Sequence, residues 1–227
     1  DKPEDKNYSA NDQAEILSEF INRLNLKDMV IVGHSLGGIV SLLALLSKKI
    51  KNRVSGLVLI DAVAYYKHIP NFIAGLRIPI ANMLKLEFTS SRVLVKNVLK
   101  EAFYDHSKIT DELINQYAES LSSAQAKRSL IRSASQFVSE EMKHAHSKFN
   151  QITIPTLVIS GVDDRLIPIE ESYGLKRDLP HVELKVIPQC GHSAQEECPR
   201  ETAKFVSKFL NKNLSIFETL KSRWLKN

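Results

Sequence analysis

Residues 29–38 read Met-Val-Ile-Val-Gly-His-Ser-Leu-Gly-Gly. The apolar run Met29 to Val32 predicts a buried strand over 28–32, and Leu36 to Leu46 continues in a helical pattern that predicts a helix over 36–48. Gly33-His34-Ser35-Leu36-Gly37 therefore sits on a strand-to-helix turn, where Gly-x-Ser-x-Gly lifts a serine above the end of a sheet. The glycines supply positions without Cβ where strand and helix backbones nearly touch. Ser35, at the mouth of a new helix, also stands near unpaired backbone N–H groups that favour a developing negative charge. It is the candidate nucleophile, and His34 occupies the turn's variable position.

Two later loops supply partners for it. Gly161-Val162-Asp163-Asp164-Arg165-Leu166-Ile167-Pro168 follows the apolar strand predicted over 156–160, and Gly191-His192-Ser193-Ala194-Gln195-Glu196-Glu197-Cys198-Pro199 follows a strand over 182–187. Serine, aspartate and histidine thus arise in that order, each just past the C-terminal end of a strand, where open α/β sheets gather their active groups. Asp163, Asp164 and Asp61, which ends the strand Val54–Ile60, are the carboxylates available to orient the histidine.

On these residues the chain resembles the α/β-hydrolase superfamily, in its capped serine-hydrolase subgroup of esterases and meta-cleavage-product C–C hydrolases. The resemblance runs from Asp1 to about Leu210. It implies an α/β core with a mostly parallel sheet, with Ser35 as nucleophile, His192 as base, Asp164 as acid and the Leu36 backbone N–H as one oxyanion donor. Glu197 and Pro199 match the family's Glu-x-Pro after the histidine. Ser193 departs from the C–C hydrolases, which often carry tryptophan there. The family places four strands before the first helix seen here, together with a loop bearing the second oxyanion donor, and neither is found in the sequence. The expectation is that these 227 residues made alone fold poorly and turn over slowly.

Between Ala64 and about Asn150 the strand-helix alternation gives way to amphipathic helices. Thr110-Asp111-Glu112 opens one with a cap and an acidic first turn, and Leu130, Ile131, Ala134, Phe137 and Val138 mark another. The resemblance makes 64–150 a helical cap inserted into a core of 1–63 and 151–212, followed by a tail over 213–227 with apolar residues among basic ones. His34, Phe72, Leu76 and Met83 are the expected substrate-binding side chains. At the N-terminus, Ser9 is placed to cap a helix reaching about Leu24, with Ala14, Leu17, Phe20, Ile21 and Leu24 on its apolar face. Further helices are expected over 170–179 and 199–210.

Composition narrows the function further. Apolar residues at 43% and charged ones at 25% describe an ordinary globular chain, and Lys+Arg 31 against Asp+Glu 26 gives a net charge of +5. These positive residues are dispersed, without the aromatic-basic groove of a nucleic-acid binder. No apolar run reaches membrane-spanning length, and a cytoplasmic location is the expectation. Cys190 and Cys198 flank the histidine and are expected to be reduced, part-buried thiols. Glu140, Glu141, His144 and His146 match no zinc spacing, so neither metal nor cofactor is called for. The expected function is hydrolysis of carboxylic esters of small or medium apolar substrates. C–C bond hydrolysis of meta-cleavage type and a non-catalytic small-ligand receptor are the alternatives.

Overall fold

The computed structural model describes residues 7–65 and 89–224. Four strands, β1 (Met29–His34), β2 (Val54–Ile60), β3 (Thr156–Gly161) and β4 (Val182–Ile187), form one parallel sheet in the order β1-β2-β3-β4. Parallel neighbours require crossovers, and helices supply them. After α1 (Ala10–Arg23) come α2 (Leu36–Leu46), then α3 (Ser91–Ala102), α4 (Asp111–Glu119), α5 (Ala124–Gln136) and α6 (Glu140–His144) between β2 and β3. The chain continues through α7 (Glu170–Asp178), the short α8 (Ala194–Glu197) and the long α9 (Pro199–Trp224). Among the described residues, no helix is long and apolar enough to cross a membrane.

Alternation along the central strands explains the layering. Leu57, Leu59 and Val158 join a core with α1, α2 and α7, whereas Val58, Ile60, Leu157 and Ile159 face a second core with Phe209 of α9. Both faces of β2 and β3 are buried, as a parallel sheet demands. Val95, Leu99, Ala102, Phe103, Ile114 and Ala118 form a third cluster within the α3–α4 region, and Leu166 packs against both this cluster and the first core.

Several local expectations meet their partners. Ser9 caps α1 by accepting from Asp12 N at 3.1 Å, and Thr110 caps α4 by accepting from Leu113 N at 3.1 Å. Ile131, Ala134 and Phe137 are buried. Others need correction. The buried stripe of α1 is Ala10, Ala14, Ser18 and Ile21, while Phe20 and Leu24 are more than half exposed. Phe20 lines a groove with Ile31 and Val32 of β1, whose outer edge pairs with no other strand among the described residues. The last helix continues past Leu210 to Trp224. Phe72, Leu76 and Met83 lie outside the described residues.

Candidate active site

Ser35 interrupts two regular elements. It follows β1 and precedes α2 with φ 52° and ψ −120°, a left-handed conformation that ordinary residues avoid. Backbone bonds hold it there: its N–H donates to Ile60 O at 3.0 Å, and its carbonyl accepts from Gly38 N at 2.9 Å and Val63 N at 3.0 Å. A Cβ on Gly33 would lie 2.6 Å from Gly37 O, and one on Gly38 would overlap the Ala62 side chain. These two glycines permit the close approach. Gly37 does not, since a Cβ there meets nothing within 4 Å.

As N-cap of α2, Ser35 makes no side-chain capping bond. Its hydroxyl instead lies 2.8 Å from His192 Nε2, and His192 Nδ1 lies 2.8 Å from Asp164 Oδ2. A carboxylate only accepts, so Nδ1 carries the proton and Nε2 is left to accept from Ser35. The other Asp164 oxygen accepts from Leu166 N at 2.8 Å and Ile167 N at 2.9 Å. With Asp164 1% and His192 7% exposed in their side chains, this chain of bonds is shielded from water.

The other two carboxylates are occupied elsewhere. Asp163 accepts from Gln189 N at 3.0 Å and so ties the acid loop to the strand end before the histidine. Asp61 accepts from Gly161 N at 2.8 Å and Ala194 N at 3.2 Å. Burial pushes its carboxyl well above the usual range, against the pull of those two amides. Leu36 opens α2, so its N–H belongs to the first turn, whose donors lack intrahelical partners.

His34 is turned toward the histidine loop. Its Nε2 donates to the His192 carbonyl at 2.8 Å, and the two rings lie 5.0 Å apart between centroids. Burial and the neighbouring His192 lower its pKa to about 4, which keeps it neutral near pH 7. The sequence marked His34 as the turn's variable position and as an expected substrate-binding side chain, but gave no sign of its bond to the histidine loop. Cys190 and Cys198 are free and buried, and burial pushes both thiols up, away from reactive thiolate. Among the described residues, no group of three or more potential ligands could hold a metal ion.

Residues 1–199 match the family described as alpha/beta hydrolase fold. The chain belongs to that family and is an enzyme, a hydrolase. It is 29% identical over 204 residues to the uncharacterized hydrolase YugF of Bacillus subtilis, covering 89% of this chain and 72% of that protein. To the 2-hydroxy-6-oxo-6-(2'-aminophenyl)hexa-2,4-dienoic acid hydrolase of Metapseudomonas resinovorans it is 27% identical over 218 residues, covering 93% and 70%. Among solved structures, a meta-cleavage product hydrolase superposes with a TM-score of 0.75 at 25% identity, covering 93% of this chain and 75% of that one. An esterase of Thermogutta terrifontis shares the fold, with a TM-score of 0.71 at 22% identity, covering 92% and 74%.

Proposed function

We propose that the enzyme hydrolyses carboxylic esters of small or medium apolar groups through an acyl-enzyme on Ser35. The observation that carries this reading is the unbroken run of two 2.8 Å bonds from Ser35 through His192 to Asp164. A neutral hydroxyl is a poor nucleophile until an adjacent base takes its proton. His192 Nε2 takes it as Ser35 Oγ bonds to the ester carbonyl carbon, and Asp164 stabilises the resulting imidazolium. The tetrahedral oxyanion lies against the Leu36 N–H, a donor worth about 2.7–4 kcal/mol of barrier in comparable sites. His192 then gives its proton to the leaving alkoxide, and water repeats the sequence to free the acid. The helical region between β2 and β3 serves as the cover that shapes the pocket and excludes water.

A second reading, C–C bond hydrolysis, is favoured by the names of the relatives. Besides the Metapseudomonas enzyme, 2-hydroxymuconate semialdehyde hydrolase of Pseudomonas putida is 27% identical over 215 residues. Ser193, where that subgroup often has tryptophan, keeps it second.

Turnover of p-nitrophenyl esters beside that of a ring-cleavage product separates the two. Ester turnover should exceed the other, and Ser35→Ala should abolish both turnover and labelling by a fluorophosphonate. Asp164→Asn, which permits the wrong histidine tautomer, is expected to lower kcat about 10⁴-fold. A ring-cleavage product turned over in preference to every ester would reverse the order. Labelling that survives Ser35→Ala would move the nucleophile elsewhere.

A further inference from the structure

Glu197 stands five residues after His192, is 2% exposed, and touches neither Ser35 nor Asp164. Its Oε2 accepts from Gly191 N at 2.7 Å and from Tyr104 N at 3.1 Å, and its Oε1 accepts from Asp105 N at 2.6 Å. One carboxylate thus gathers amides from two places far apart in sequence: the loop that carries the histidine and the segment that leaves α3. Further bonds cross the same seam. His192 N donates to Ala102 O at 2.6 Å, Lys108 Nζ donates to Glu197 O at 2.8 Å, and Tyr117 OH bonds the Glu196 carboxylate. The two backbones touch directly, because a Cβ on Gly191 would overlap Ala102 O and lie 2.8 Å from Tyr104 N.

We infer that Glu197 is a positioning residue for His192, and that through it the segment following α3 sets where the imidazole stands. This rests on the proton relay proposed above. The backbone of His192 is gripped from two sides: its N–H by Ala102 of the inserted region and its carbonyl by His34 of the serine turn. The Gly191 amide, one residue earlier, is held by Glu197. Loosening that hold lets the loop swing about the remaining contacts, and a relay of this kind tolerates displacements of only a few tenths of an ångström.

The side-chain chemistry suits the task. Three converging N–H groups call for an acceptor with several lone pairs and no donor of its own. A carboxylate meets that need, whereas an amide would aim its NH₂ at one of the three donors. Asp61 braces the opposite side of the loop through Ala194, but its partners come only from the loop and the end of β3. Of these two carboxylates, Glu197 reaches the inserted region, where it holds two backbone amides.

The test compares Glu197→Gln with Tyr117→Phe, which removes a different bond across the seam, in the full chain. Three quantities are read: amide hydrogen exchange at Gly191, Tyr104 and Asp105, the low-field proton resonance of His192 Nδ1–H, and the rate of Ser35 labelling by a fluorophosphonate per folded molecule. In Glu197→Gln the three amides should exchange at least tenfold faster, the low-field resonance should broaden or vanish, and labelling should slow at least tenfold. Tyr117→Phe should stay within twofold on all three. Faster exchange with an unchanged resonance and labelling rate would make Glu197 merely structural and overturn the inference, as would unchanged exchange. A wild-type chain that fails to label would sink the hydrolytic role of Ser35, and the resonance would still decide the role of Glu197. If Glu197→Gln lacks a cooperative unfolding transition, Glu197→Asp, one methylene shorter with its charge kept, is read by the same outcomes.

Discussion

His34 couples the serine turn to acidity. In the unfolded chain its imidazole binds a proton near the ordinary pKa of 6.5, whereas in the folded protein it does so only near 4. Between those values the unfolded state holds more protons, so stability is full above pH 6.5 and falls as the pH drops toward 4. The span corresponds to about 3 kcal/mol. His34→Gln keeps an N–H able to reach the His192 carbonyl but does not titrate. Urea unfolding between pH 4 and 7 is therefore expected to show a shallower acid loss in the variant. Equal slopes would mean that His34 stays solvated and carries no such cost.

At the level of elements, the packing of α2 against the segment that leaves β2 separates two neighbouring glycines. Gly38→Ala drives a methyl into Ala62 where the Ser35 turn is anchored, and is expected to cost about 1–3 kcal/mol as an overpacked site. Gly37→Ala meets open space inside a helix and should be neutral or stabilising by up to about 1 kcal/mol. Denaturant midpoints for the two variants check this, and similar losses at both positions would refute the packing account.

This pair also marks the limit of what the sequence could tell. Strand, turn and helix around Ser35 are local patterns, and so are the loops bearing Asp164 and His192, so their places at the strand ends were readable. Which glycine touches what was not, because Gly38 and its contact Ala62 lie on either side of β2 in the chain. Similarly, the apolar spacing of α1 shows that it has a face but not what covers it, hence the exposed Phe20. Glu197 was visible as part of a short motif, yet its partners at 104 and 105 lie more than ninety residues away.

Over the whole molecule, the described sheet has two edge strands, β1 and β4, and exposed apolar side chains gather beside β1. Ile16, Phe20 and Val32 are each more than half exposed beside the outer edge of β1, and they border a groove of about 820 Å³ that also reaches Gly37 and Leu130. An unpaired edge flanked by apolar side chains invites pairing with another chain. The 227-residue chain is therefore expected to self-associate in a concentration-dependent way, and Val32→Lys to lower its weight-average mass in sedimentation. A monomer at all concentrations would refute the expectation.

The seam between the inserted region and the histidine loop is written largely in main-chain atoms: one carbonyl at 102 and two amides at 104 and 105. Any residue offers a carbonyl, and any but proline offers an amide. Mutation can therefore rewrite the side chains at 104 and 105 while those bonds stay intact, whereas Ala102 is held by its place in the buried cluster. In chimeras, a foreign helical region spliced in there would need only to deliver one acceptor and two donors at the right points.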